Sequence, residues 1–165
     1  MRYSLKHKVV SIGGDSMIKD AQGQDVYFVD GAAISIGRRL AIKDMQGQEL
    51  ASIHQKPIAL RPTFDISLKN GTSAKVTKKM FSLRDRLTIA VDGSADLEAH
   101  GNLLHHEYDI ARSGREVAHV SKKYIALTDS YTIDIDDDQD QVLLLACAVV
   151  IDEILESGEH KIDLD

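Results

Sequence analysis

From Tyr3 to Ile135 the chain runs in short stretches that alternate apolar and polar residues, as in Phe64-Asp65-Ile66-Ser67-Leu68 and Ala74-Lys75-Val76-Thr77. A period of two sends one set of side chains into a core and the other into water, which predicts half-buried strands. Turn residues punctuate these stretches at regular spacing: Gly23, Gly47 and Gly71 lie 24 residues apart, and Asp92-Gly93 and Arg112-Ser113-Gly114-Arg115 follow in a similar rhythm. The first turns belong to a repeat. Ile18-Lys19-Asp20-Ala21-Gln22-Gly23-Gln24 returns as Ile42-Lys43-Asp44-Met45-Gln46-Gly47-Gln48, with a looser copy in Leu68-Lys69-Asn70-Gly71-Thr72. An Asp or Asn that bonds the backbone ahead of it, followed by a glycine free to take positive φ, is the chemistry of a tight turn, so the unit reads strand, turn, strand. Roughly ten to twelve strands result, a number that favours a closed barrel or sandwich over one open sheet.

The alternation breaks once. Residues 142–151, Val-Leu-Leu-Leu-Ala-Cys-Ala-Val-Val-Ile, form an unbroken apolar run with Asp136, Asp137, Asp138 and Asp140 before it and Asp152 and Glu153 after it. Acids at the start complement a helix dipole, and Gly158 stands where a terminating glycine belongs, so a helix is predicted over about 137–157. Being apolar all round, it has to be buried on every side. The ten-residue run is about 15 Å long, half of a membrane span. The expectation is one domain over 1–165, with strands over about 3–135 packed on this helix, and an acid in its middle, as in Leu145→Asp, should unfold it.

Composition adds compartment and charge. One cysteine, Cys147, makes no intramolecular disulfide, and Met1 is followed by alternating residues, so a cytoplasmic protein without a transmembrane segment is expected. The net charge of −6 is unevenly spread. Between His54 and Val91 eight Lys and Arg face two Asp, while from Asp129 to Asp165 twelve acids face Lys161 alone. Clustered cations on a strand face can hold phosphate through charge-assisted hydrogen bonds, which singles out Lys75, Lys78, Lys79, Arg84 and Arg86, with Arg38 and Arg39 extending the patch. Such charges also do nothing more than keep an outward face in water.

Other chemistry is thin. His100, His105, His106 and Glu107 are the densest set of possible metal ligands, but alternation sends His106 to the face opposite His105 and Glu107. His7, His54, His119 and His160 stand isolated along the sequence. Asp136-x-Asp138-x-Asp140 resembles the start of a calcium loop, yet the sixth position is Gln141 and the twelfth is Cys147, so helix capping is the better account. No Gly-x-Ser-x-Gly elbow and no Gly-rich loop opening a helix is present, and Cys147 within an apolar run reads as an inert thiol. The acidic balance and the scarcity of aromatics argue against a nucleic-acid partner. The expectation is no catalytic residue, no metal and no cofactor.

The hairpin array, then His106-Glu107-Tyr108, Val117-Ala118-His119-Val120-Ser121-Lys122-Lys123, Asp129-Ser130-Tyr131-Thr132-Ile133-Asp134-Ile135 and an apolar segment ending Val150-Ile151-Asp152, resembles the LURP-one-related family. Tyr124 stands where many relatives carry Trp, so an aromatic is kept. That family belongs to the tubby C-terminal-like superfamily, and the resemblance implies a closed barrel of about twelve antiparallel strands around one central hydrophobic helix. The superfamily includes phosphoinositide-binding tubby domains and phospholipid scramblases. Together with the basic stretch, this leads to the expectation of a non-enzymatic domain that binds anionic phospholipid headgroups or other phosphate-bearing ligands, peripheral at a membrane. The alternative is a cytoplasmic scaffold that engages a protein partner, and a hydrolase is the third reading.

Overall fold

The computed structural model describes residues 1–7, 16–31, 37–57, 61–77, 86–125 and 128–162. Twelve strands follow one another: β1 (Arg2–His7), β2 (Ser16–Lys19), β3 (Asp25–Gly31), β4 (Arg39–Asp44), β5 (Glu49–Gln55), β6 (Thr63–Leu68), β7 (Ser73–Thr77), β8 (Arg86–Val91), β9 (Leu97–Asn102), β10 (Glu107–Arg112), β11 (Arg115–Ile125) and β12 (Thr128–Ile135). Each pairs antiparallel with its sequence neighbours, and β1 pairs with both β2 and β12, so the sheet closes into a barrel without a free edge. One helix, α1 (Gln141–Ile162), follows the last strand.

The repeat maps onto this barrel directly. Ile18, Ile42 and Ile66 hold equivalent inward positions on β2, β4 and β6 and are fully buried. In the turn after β2, the Asp20 carboxylate accepts from the amides of Gln22 and Gln24, both at 2.9 Å. Asp44 repeats the arrangement with Gln46 and Gln48 at 3.0 and 2.9 Å. Gly47 takes φ 81° and donates its amide to the Asp44 carbonyl, a conformation that costs a residue with a Cβ far more than glycine. All the tight glycine turns, at 20–24, 44–48, 68–72, 92–96 and 113–114, close hairpins at one end of the barrel. The other end, the loop rim, carries the remaining connections, among them the 3₁₀ turn Leu103–His105.

The helix enters the barrel at the turn end. There β12 finishes beside the N-terminus, whose ammonium donates to the Ile135 carbonyl and, at 2.7 Å, to Asp137. Every side chain from Leu143 to Ile151 is at most 5 % exposed, although the run presents all faces of a helix. Within a closed sheet this places α1 in the lumen, packed on β5, β6 and β12 and on the short 3₁₀ turn Leu103–His105. The helix supplies the filling that a barrel of this many strands cannot obtain from its own side chains.

Two boundaries differ from the sequence reading. The helix starts at Gln141, not near 137, because the preceding acids have other partners: Asp136 and Asp138 hold Arg115 at 2.8 and 3.2 Å, and only Asp140 caps, accepting from the Leu143 amide at 3.0 Å. At the far end Gly158 does not terminate the helix, which continues to Ile162. Glycine is only about 1 kcal/mol worse than alanine within a helix, so it stops one only where a left-handed turn gains partners. None of the described helices is long and apolar enough to cross a membrane.

Candidate functional site

With the lumen occupied, sites have to be sought on the outer wall and at the two rims. Among the seven basic residues singled out by sequence, Lys78, Lys79 and Arg84 fall between β7 and β8, outside the described residues. Arg39 is exposed on β4, across from His54 of β5, and lines an open groove of about 380 Å³ with Lys43, Asp30 and Glu49. Lys43 is drawn to Asp30 at 2.5 Å within that groove. Lys75 stands exposed on β7. Arg86 donates to Glu98 of β9 at 3.1 Å. Arg38 is committed inward, its guanidinium bonded in two places, at 2.9 and 3.1 Å, to Glu153 of the helix. Arg39 and Lys75 are therefore the described members of the set without a carboxylate in ion-pair reach. They do not converge, because β5 and β6 lie between their strands and three strand spacings amount to about 14 Å.

At the loop rim a second group ties the helix to the wall. His106 sits 3.5 Å from Asp152 of α1, whose side chain is 8 % exposed, and stacks on Tyr131 with ring centroids 5.2 Å apart. The sequence reading placed residues 105–107 in one alternating strand. Instead His105 ends the 3₁₀ turn and His106 takes a left-handed φ of 52°, which turns its ring inward, while His105 meets Asn102 and Glu107 accepts from Ser121. His106 still points away from His105 and Glu107, as expected, but through this turn. Tyr108, buried and facing the negative Asp152, keeps its proton well above the ordinary phenol range. Burial pushes the Cys147 thiol up to about 12, which removes thiolate chemistry near neutral pH.

The third group was missed in the sequence. Asp109 of β10 and His119 of β11 are cross-strand partners whose carboxylate and imidazole share a hydrogen bond. This bond raises the His119 pKa above its ordinary 6.5, against the opposing effect of burial, and Glu116 and Glu107 add to the rise. Glu116 faces the same way as His119, and the two line a groove of about 360 Å³ with Arg2, Asp134 and Asp136. Arg2 bonds Asp134 at 2.6 and 3.1 Å and holds that carboxyl below its usual value. Alternation hides the cluster because β11 carries a bulge: Ala111 pairs Glu116 but Ile110 pairs Ala118, so Val117 is extra and both Val117 and Ala118 point into the core. Counted from the turn without that bulge, Asp109 would face Ala118. Bulges re-aim side chains in this manner and are common beside sites.

The sequence profile of the LURP-one-related family matches residues 1–152, the whole barrel and the buried first half of the helix. The chain belongs to the LURP-one-related family. It is 30 % identical over 157 residues, 95 % of each chain, to the uncharacterised protein YxjI of Bacillus subtilis (strain 168). It also resembles an Arabidopsis thaliana protein of known X-ray structure, with a TM-score of 0.68 at 14 % identity over 93 % of this chain and 91 % of the other. At that identity the likeness is one of fold, the closed twelve-stranded antiparallel barrel with a single C-terminal helix.

Proposed function

We propose that this LURP-one-related protein is a non-enzymatic binding domain that engages phosphate-bearing groups of an anionic lipid surface through cations on its outer wall. The observation that supports this reading most is the pairing of a lumen filled by the protein's own helix with exposed, unpaired Arg39 and Lys75 outside it. A filled barrel offers no enclosed chamber in which to carry a ligand or exclude water from a reaction, so contact with partners falls to the surface. Lys78, Lys79 and Arg84, which follow Lys75 in sequence, add cations to the same stretch of chain. Co-sedimentation with vesicles of neutral lipid, with and without an anionic phospholipid, tests the reading. Binding should require the anionic lipid, weaken as salt rises, and fall when Arg39, Lys75, Lys78 and Lys79 are reversed to Glu. Equal sedimentation with neutral vesicles, or indifference to the reversals, overturns it.

A further inference from the structure

The outer face of β10 and β11 places three ligand types around one point. We propose that Asp109, Glu116 and His119 form a surface site for a divalent transition-metal cation of the zinc class. One ligand atom from each lies within 4.8 Å of the others. Zinc bonds of about 2.0–2.2 Å set tetrahedral ligands some 3.3–3.6 Å apart, so a closure of little more than an ångström completes the set. Glu116 can supply that closure: its long side chain is exposed and has no hydrogen bond to any described residue.

The donors also select the metal. An imidazole with two carboxylates suits zinc and its neighbours, whereas calcium asks for six to eight oxygens. The nearby arginines are engaged elsewhere, Arg115 with Asp136 and Asp138 and Arg2 with Asp134, so neither covers Glu116, and an ion that takes His119 and Asp109 displaces the proton they share. Asp109 and His119 are a third or more exposed, which gives entry and leaves the remaining coordination positions to water or a partner's ligand. The bulge at Val117 builds this site, since strict alternation would put Glu116 and His119 on opposite faces.

The test uses the full chain after chelator treatment. Co²⁺ is titrated as a spectroscopic probe, and Zn²⁺ is titrated in competition with a chromophoric chelator. One equivalent should bind, and His119→Ala and Glu116→Gln should each weaken binding by about tenfold or more, as loss of a direct ligand must at least match loss of an outer-shell partner. Glu116→Gln keeps the His119–Asp109 pair intact, so an unchanged thermal melt shows that its effect is on the ion and not on the fold. Absence of stoichiometric uptake overturns the proposal. So does uptake that survives both variants, which places the ion on other histidines, or uptake that Glu116→Gln leaves unchanged.

Discussion

His119 lies between acids on both neighbouring strands, with Asp109 of β10 and Asp134 of β12 as its cross-strand partners. The hydrogen bond to Asp109 favours the imidazolium and raises its pKa above 6.5. A histidine whose folded pKa exceeds its unfolded value adds stability that is complete below the unfolded pKa and is lost as pH rises through the folded one. In the metal-free protein, Asp109→Asn should therefore lower the His119 midpoint in an NMR titration, and the variant's stability deficit should be full below pH 6.5 and fade as pH rises through the raised folded midpoint. A midpoint that does not move would show that the contact is not formed. Gly101 is another residue with a sharp requirement. Its φ is 131°, and a Cβ there would lie 2.8 Å from the Glu107 carbonyl oxygen and 2.9 Å from the Tyr108 Cα. Gly101→Ala should lose about 1–3 kcal/mol in denaturant unfolding, since backbone and not a flexible side chain is in the way.

The helix is the element on which the core turns. Its start is set by one carboxylate, because Asp140 both caps the Leu143 amide and accepts from Asn70 of the β6–β7 turn at 3.0 Å, fixing the angle of entry. Its middle is surrounded by barrel wall, with Leu144 through Ala148 at 1 % exposure or less. An ionised carboxyl at Leu145 has no partner within such surroundings, so Leu145→Asp should abolish the cooperative melt followed by circular dichroism, whereas Leu145→Ala should keep the fold and lose about 2–5 kcal/mol. Near the loop rim the helix is held again, by Arg38 on Glu153 and His106 beside Asp152. These acids follow the apolar run in sequence, where nothing announces their partners. Their partners come from just before β4 and from the turn before β10, and only folding brings them together.

At the scale of the whole molecule, twelve strands in sequential order make a barrel whose apolar lining is covered by the helix. The outer wall is polar: the exposed large hydrophobic residues among those described are Met1 and Met45. Inward residues of β6, β7 and β8, such as Ile66, Val76 and Ile89, are fully buried with α1 in the lumen. A chain ending at residue 140 would leave that lining facing a void or water. It should show no cooperative unfolding transition and should bind a hydrophobic dye, and a cooperative melt of that truncation would show that the wall is self-supporting.

Local repetition was enough to announce the strands, the hairpin turns and the buried helix. Alternation and turn chemistry act over a few residues, so Asp20 and Asp44 bond their own turns whatever surrounds them, and an all-apolar run has to be buried somewhere. The candidate sites were legible only in part. Arg39 and Lys75 face outward as their strand positions require, but Arg38 is taken by a helix residue more than a hundred positions away in sequence. The Asp109, Glu116 and His119 cluster depends on one extra residue in β11, which shifts the register and turns Glu116 onto the face of His119. A bulge leaves no period for a sequence pattern to show. The strands and their filling therefore follow from local physics, while the grouping of charges on the wall is decided by register and closure, which exist only once the barrel has formed.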